Sequence, residues 1–310
     1  MFTARKTQGA GGTSAAPVDT GVFGGRNRST DEYDVLEYIT ISTTGNATDF
    51  GDLTVARTAL SATSNGPRGV FGGGFDTAAT NVIDYISISA LSNATDFGDL
   101  TLARQGPSAT SNGSRGVFGG GFSGITTRVN VIDYITIATT GNATDFGDLT
   151  VARSAHGATS NGSRGVFGGG VTAFGRVNTI DYITISTTGN AVDFGDLNSV
   201  AGGVSATSNG PRGVFALGVD STGGLVNRIS YITIATTGNA VDFGDLTVSR
   251  SSAAATSNGS RGVFGGGDGS FFESNVIDYI TIATTGNATD FGDLTIGKQQ
   301  MGATSGFTGA

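Results

Sequence analysis

The sequence predicts an all-β fold, a six-bladed β-propeller with four antiparallel strands per repeat of about 48 residues and a ring closed by the C-terminal strand. Three observations carry this. The tetrapeptide Asp-Phe-Gly-Asp occurs six times, centred on Phe50, Phe97, Phe146, Phe194, Phe243 and Phe291. A second marker, Gly-Val-Phe, recurs at the same pace, ending at Phe23, Phe71, Phe118, Phe167, Phe215 and Phe264. No segment shows a helical period; each unit is a series of short extended runs cut by tight turns.

One unit, read from Thr150, gives the four strands in order. Ala158-Thr159-Ser160 is a short strand of small residues. Asn161-Gly162 follows, and this pair between extended runs is a strong hairpin signal because both residues tolerate positive φ. The second strand, Arg164-Gly165-Val166-Phe167, ends in a run of Gly. The third, Asn178–Ser186, is rich in β-branched and aromatic residues. Thr188-Gly189-Asn190 then turns the chain into a fourth strand carrying Phe194. In the third strand of another unit, Val131–Ile137, apolar residues fall on both parities, as in a sheet covered on both faces by its neighbours. A stacked solenoid is the rival fold, but its coils are usually shorter and have few two-residue hairpins.

The first-strand signature Ala-Thr-Ser appears at Ala62–Ser64, Ala109–Ser111, Ala158–Ser160, Ala206–Ser208, Ala255–Ser257 and Ala303–Ser305, with a degenerate Gly12-Thr13-Ser14 ahead of them. That is one first strand too many for six blades. Between Ser14 and Gly21 the spacing is longer than in the other units, Pro17 intervenes and the Asn-Gly turn is missing. Ala303–Ser305 is therefore expected to complete the first blade, so that no sheet edge is left open. Residues 1–17 are then an N-terminal arm and 18–310 a single propeller domain.

Composition narrows the chemistry. With 17 Lys+Arg against 25 Asp+Glu the net charge is −8, which argues against a grip on nucleic-acid phosphates. No run of ~18 apolar residues offers a membrane helix, and the opening MFTARKTQGAGGTS lacks the apolar core of a secretory signal. The 53 Gly show no Gly-X-Y period, so the chain is not collagen-like. There is no Cys, which excludes disulfides, thiolate nucleophiles and Cys-ligated metals. The one His, His156, excludes a His-rich metal site and has no visible catalytic partner; it is expected to be an ordinary loop residue. No cofactor is expected.

Gly-Gly after the second strand, Tyr in the third (Tyr38, Tyr85, Tyr134, Tyr182, Tyr231, Tyr279) and an aromatic in the fourth resemble the kelch repeat. The likeness covers all six units and departs in two respects: the fourth-strand Trp of kelch is Phe here, and the fifth unit has Ala216-Leu217 for Gly-Gly. The wording of the units, YITIATTGNATDFGDLTVAR, is also similar to kelch-like repeat proteins encoded by tailed phages of marine bacteria.

Six copies in one chain permit an internal comparison. The segments between second and third strands differ in every blade: Arg26–Asp34, Phe75–Thr80, Phe122–Arg128, Val171–Arg176, Val219–Leu225 and Asp268–Ser274. They belong on one face of the disc with the linkers between blades, opposite the recurring Asn-Gly and Gly-Asn turns. Loops on a rigid scaffold are where binding resides. These carry Tyr33, Phe75, Phe122, Phe174, Phe271 and Phe272, with Arg26, Arg28, Arg128 and Arg176 nearby. Tyr33, Phe75, Phe122, Arg128, Phe174, Arg176, Phe271 and Phe272 are the candidate binding residues. Two readings compete: a docking or glycan-stacking surface, or aromatics that each lie over their own blade as a lid.

Other signals have structural readings. Asp-Phe-Gly-Asp matches a kinase tripeptide, but six copies without a kinase lysine strand or catalytic loop dismiss that. Its aspartates could ring calcium, yet no Asp-x-Asp-x-Asp-Gly loop exists and Asp readily caps turns. Arg68, Arg115, Arg164, Arg212 and Arg261 are expected to pair with those aspartates. The Asn-Ala-Thr sequons at Asn46, Asn93, Asn142 and Asn287 read as turn chemistry. Sialidase boxes and copper-radical sites need Trp, Cys and further His that are absent.

The expected function is non-enzymatic. The phage resemblance implies a virion structural protein of tail, fibre or capsid surface, made in the host cytoplasm and released by lysis. It implies several copies per assembly, bound to other virion proteins or to a host-surface glycan; the acidic balance and the lack of an apolar span lead us to expect no nucleic-acid or membrane partner. The alternative is a cellular kelch-type interaction scaffold or lectin. An enzyme with its site over the central channel would need acid–base groups converging from Asp31, Glu32, Asp76, Asp220, Asp268 and Glu273.

Overall fold

In the computed structural model, which describes residues 14–16, 19–25, 34–124 and 127–307, six antiparallel four-stranded sheets form the blades and no described residue is helical. Blade 2 shows the plan: Ser61–Ser64 innermost, then Arg68–Gly72, Val82–Ser87 and, outermost, Thr95–Asp99. The innermost strands pack side by side around a channel. Gly302–Ser305 touches both Ser61–Ser64 and Ala254–Ser257, which completes the circle.

That last contact is the expected closure. Gly302–Ser305 pairs with Thr20–Gly24, with Gly21 opposite Ser305 and Phe23 opposite Ala303, so the first blade takes one strand from the C-terminus and three from the N-terminal side. Blade 1 thus lacks a covalent first turn, and side chains patch the gap. Asp19 has φ 68 and accepts a hydrogen bond from Asn258 Nδ2 at 2.9 Å, while Phe307 lies against Gly259 at the channel mouth. From the predicted arm, Ser14–Ala15 pairs with Ala90–Leu91 outside the blades.

Apolar residues on both parities of the third strand do what the sequence implied: every core cluster straddles two blades. Val117, Ile132 and Phe146 of blade 3 pack with Phe167, Ile183 and Ile185 of blade 4. The third-strand Tyr meets the fourth-strand Phe edge-on, Tyr134 against Phe146 at 6.0 Å and 79°, the geometry that aromatic quadrupoles favour. The second strand ends in Gly because the next blade's Phe occupies the space: a Cβ on Gly168 would lie 2.8 Å from the Phe215 ring.

The Asp-Phe-Gly-Asp motif is the inter-blade seam. Phe146 is buried, and Gly147 (φ +142) has its Cα so near blade 4 that a Cβ would lie 2.5 Å from the Gly189 carbonyl oxygen. Gly189 and Ala191 donate their N–H groups to Phe146 and Asp148 at 2.8 and 2.7 Å, and Asp148 N–H donates to Asn190 Oδ1 at 3.1 Å. Each third-to-fourth turn therefore covers the outer edge of the preceding blade, where a bare edge would invite pairing with another chain. Asn46, Asn93, Asn142 and Asn287 make the same capping contact, as turn residues.

The pairing expected of Arg68, Arg115, Arg164, Arg212 and Arg261 is corrected. Their guanidinium groups lie over the third-strand Tyr of their own blades, at 4.2 to 4.6 Å from the ring centroids, and donate to backbone carbonyls of the next blade, Arg68 Nη1 to Ile137 at 3.0 Å. The reason is strand order. These arginines begin the second strand and the motif aspartates sit on the fourth, so the Tyr-bearing third strand lies between them.

Candidate functional site

The variable segments and the linkers share one face, and backbone bridges staple them together. Thr58 pairs with Phe75, Gln105 with Phe122, Ser154 with Val171, Gly202 with Val219 and Ser251 with Asp268. Each loop is thus anchored to the linker that enters its own blade.

The candidate residues divide by exposure. Phe75 is half-buried, its backbone bridged to both Thr58 and Ala79. Phe122 is half-buried on a short hairpin in which Phe122–Ser123 pairs with Thr127–Arg128, and the Arg128 guanidinium covers its ring at 5.2 Å. These two fit the lid reading. Phe174 does not. Val171–Thr172 pairs with Gly175-Arg176 at the start of the long third strand Gly175–Thr184, and Phe174 stands at the hairpin tip with its side chain fully exposed, 102%. Thr172 Oγ1 locks the tip, donating to the Gly175 carbonyl at 3.0 Å and accepting the Phe174 N–H at 3.1 Å. The half-buried Arg176 runs with Val171 across Gly202, where a Cβ would lie 2.8 Å from Val171 Cγ2. On blade 6, Asp268 bridges Glu273 and presents Phe271 and Phe272 at 89% and 84% exposure. Tyr33 lies outside the described residues, as do Arg26, Arg28, Asp31 and Glu32.

Between the two aromatic tips, blade 5 carries a polar turn. Asp220 Oδ1 accepts hydrogen bonds from Thr222 Oγ1 and from the N–H groups of Thr222 and Gly224 at 2.7, 2.8 and 3.2 Å. The Thr222 hydroxyl is the main reason that this carboxyl is held below its usual range.

Two features beneath the face were not read from the sequence. The first is a closed ring at the channel mouth. Ala59, Gly106, Ala155, Gly203, Ser252 and Gln300, one from each linker, all have left-handed φ of 53 to 65°. Each donates its N–H to the carbonyl of the one before, Ala59 to Gln300 completing the circle, at 2.7 to 3.3 Å. Deeper in the channel the Ser hydroxyls form a similar series, Ser111 to Ser64 and Ser160 to Ser111, each at 2.7 Å. The loops therefore stand on a hydrogen-bonded platform. Gly106 and Gly203 were the visible sign of it, since Gly adopts positive φ without strain.

The second is a set of buried ion pairs. Arg57–Asp84, Arg104–Asp133, Arg153–Asp181 and Arg250–Asp278 lie 2.6 to 3.1 Å apart, and Lys298–Glu37 2.9 Å, all with essentially no side-chain exposure. Each cation sits in the linker entering a blade and each acid in that blade's third strand. The guanidinium also ties the second strand, as Arg153 Nη2 does by donating to the Phe167 carbonyl at 3.1 Å. Burial pulls Arg104, Arg153 and Arg250 below the ordinary arginine range, opposed by the partner carboxylates.

His156 is a linker residue as expected, but a buried one, 3% exposed, with its ring 5.9 Å from Phe167. Neither ring nitrogen makes a well-formed hydrogen bond. Burial first, then the charges of Arg153 and Arg104, hold its pKa well below that of a free imidazole.

Among the described residues, no group of three or more His, Cys, Asp or Glu side chains is arranged to hold a metal ion. No protein-family model matches the chain, and no curated protein matches it. The likeness that the chain's architecture carries is to the six-bladed β-propeller.

Proposed function

We propose that this chain is a binding module without enzymatic activity, a kelch-type propeller that works as a component of a tailed-phage virion and docks a virion protein or a host-surface glycan through its variable-loop face. The observation that supports it most is Phe174: a fully exposed aromatic on a hairpin whose tip is fixed by hydrogen bonds. Exposed aromatics anchor interfaces and stack on sugar rings, and a tip ordered before binding loses little conformational entropy on docking. Phe271 and Phe272 supply a second anchor on the same face.

The setting is tested by mass spectrometry of purified particles and of host cells. The expected result is the chain at stoichiometric level in intact particles. Its presence in cells and absence from particles would overturn the virion reading and favour a cellular interaction scaffold. The docking face is tested by Phe174→Ala and by Phe271→Ala with Phe272→Ala. Each should weaken binding to particles or to an arrayed glycan by more than tenfold, as interface hot spots do, with the melting temperature unchanged.

A further inference from the structure

One turn in six departs from the repeat, and it is the one that receives a strand. In blades 1, 3, 4, 5 and 6 the third-to-fourth turn reads Thr-Thr-Gly-Asn, and the first Thr N–H closes it onto the end of the third strand, as Thr139 does onto Thr136 at 3.1 Å. In blade 2 the same four positions are Ala90-Leu91-Ser92-Asn93. Here Ala90–Leu91 forms a two-residue antiparallel ladder with Ser14–Ala15, Ser14 opposite Leu91 and Ala15 opposite Ala90, and Ala16 donates its N–H to the Ser89 carbonyl at 2.9 Å. Ala16 and Leu91 both pack against the core shared by blades 1 and 2. The Thr pair of the other turns is exposed, whereas Ala90 and Leu91 are half-buried.

We infer that the rebuilt turn of blade 2 is a strand-accepting clip whose occupant is this chain's own Ser14–Ala16 segment, held in cis. The chemistry is that of strand addition. Backbone groups supply the pairing, and the side chains across the ladder decide what fits. The acceptor side has lost the Thr pair and gained an apolar Leu, and the bound segment brings small side chains at Ala15 and Ala16. Because the clip is on the turn side of the disc, it fastens the N-terminal segment to the face opposite the variable loops. This placement of Ser14–Ala16 holds whether or not the variable face binds the partner proposed above.

The chain has no Cys, so engineered thiols report on the clip without background. Directly opposed residues of an antiparallel ladder have Cα atoms roughly 4.5–5.5 Å apart, within disulfide range. Ser14→Cys with Leu91→Cys should give an intrachain disulfide under mild oxidation. Ser14→Cys with Thr140→Cys, at the equivalent position of blade 3, should not. Restoring the common turn with Ala90→Thr, Leu91→Thr and Ser92→Gly should raise the hydrogen-exchange rate of the Ala16 amide by about tenfold or more, while the amides of the six blades keep their protection. The inference is overturned if the first pair forms no disulfide, if it links two chains instead of one, or if the Ala16 amide exchanges equally fast before and after the turn is restored.

Discussion

In blade 4 the linker residue Arg153 reaches the third-strand Asp181 at 3.1 Å with both side chains buried, whereas blade 5 has Ala201 and Ser230 at the same two positions. Both charges are gone together. Around them the neighbours have changed too. Asn198 stands where the other linkers have Thr, and Ser230 Oγ donates to Asn198 Oδ1 at 2.8 Å, in place of the bond from Thr150 Oγ1 to Asp181 at 2.6 Å. Leu217 replaces a Gly and joins Ala201 in one buried apolar cluster. Blade 1 offers a third solution, Lys298 with Glu37, in which the acid is one methylene longer and the cation is an ammonium. The three blades show that the charge pair is dispensable at this site, and none of them carries one charge without the other. A buried pair owes its desolvation to both ions, so a neutral set of similar shape serves as well, while one orphaned ion is costly.

The largest expected effect breaks the pairing. Arg250→Ala in blade 6 leaves Asp278 as a buried, uncompensated carboxylate and should cost about 3–5 kcal/mol in chemical denaturation. Arg250→Ala with Asp278→Ser, which installs the blade 5 residues, should recover at least half of that loss. A double variant as unstable as the single would mean that blade 5 is held together by something other than matched neutrality.

Next comes the glycine that meets the neighbouring Phe. Blade 5 has Ala216 at the position of Gly168, so a Cβ there is tolerated once in the native ring. Gly168→Ala, with its Cβ 2.8 Å from the Phe215 ring, should cost roughly 1–3 kcal/mol of overpacking. Gly147→Ala should cost more, because its obstacle is a backbone carbonyl 2.5 Å away and its φ is +142. If the two cost the same, the seam backbone yields as easily as a ring.

The seam between blades 3 and 4 differs from the others in carrying His156 where they have Leu60, Pro107, Val204, Ala253 and Met301. The folded protein depresses the imidazole pKa, so the unfolded chain takes up a proton that the native state refuses. Stability is therefore full above the unfolded value of about 6.5 and falls below it, with a limiting slope of about 1.4 kcal/mol per pH unit from this group. His156→Leu should remove that contribution. Denaturation midpoints from pH 7.5 to pH 5 decide it, and equal slopes for the two proteins would show that the imidazole does not couple to folding.

The smallest effect concerns the ring at the channel mouth. Ala155 sits at φ 55 where Gly106 and Gly203 occupy equivalent places. Relief of left-handed strain in Ala155→Gly is opposed by the greater freedom of Gly in the unfolded chain, so the net change should stay within about 1 kcal/mol. A larger loss would show that the Cβ itself supports the platform.

Much of the fold is legible in the chain because the repeat presents each local choice six times. The spare Ala-Thr-Ser at residues 303–305 even announced the closure. The arginine partners are not legible in the sequence, since every unit carries Arg and Asp and nothing local says which strands adjoin. The sign that pointed to the right pair was internal covariation: Arg with Asp in most blades, Lys298 with Glu37, and neither charge at Ala201 and Ser230. On the variable face, sequence named the aromatics but could not separate Phe122, covered by Arg128, from Phe174, which nothing covers.

Strand count, blade number and the closing strand follow from local chemistry, because turn residues and hydrophobic parity act over a few positions and recur with the repeat. Tertiary structure alone decided which arginine meets which aspartate, the hydrogen-bonded ring of linkers, the burial of His156 and the exposure of Phe174. Those depend on atoms from different blades meeting across the ring, and the distances that set their energies exist only once six sheets have closed on one another.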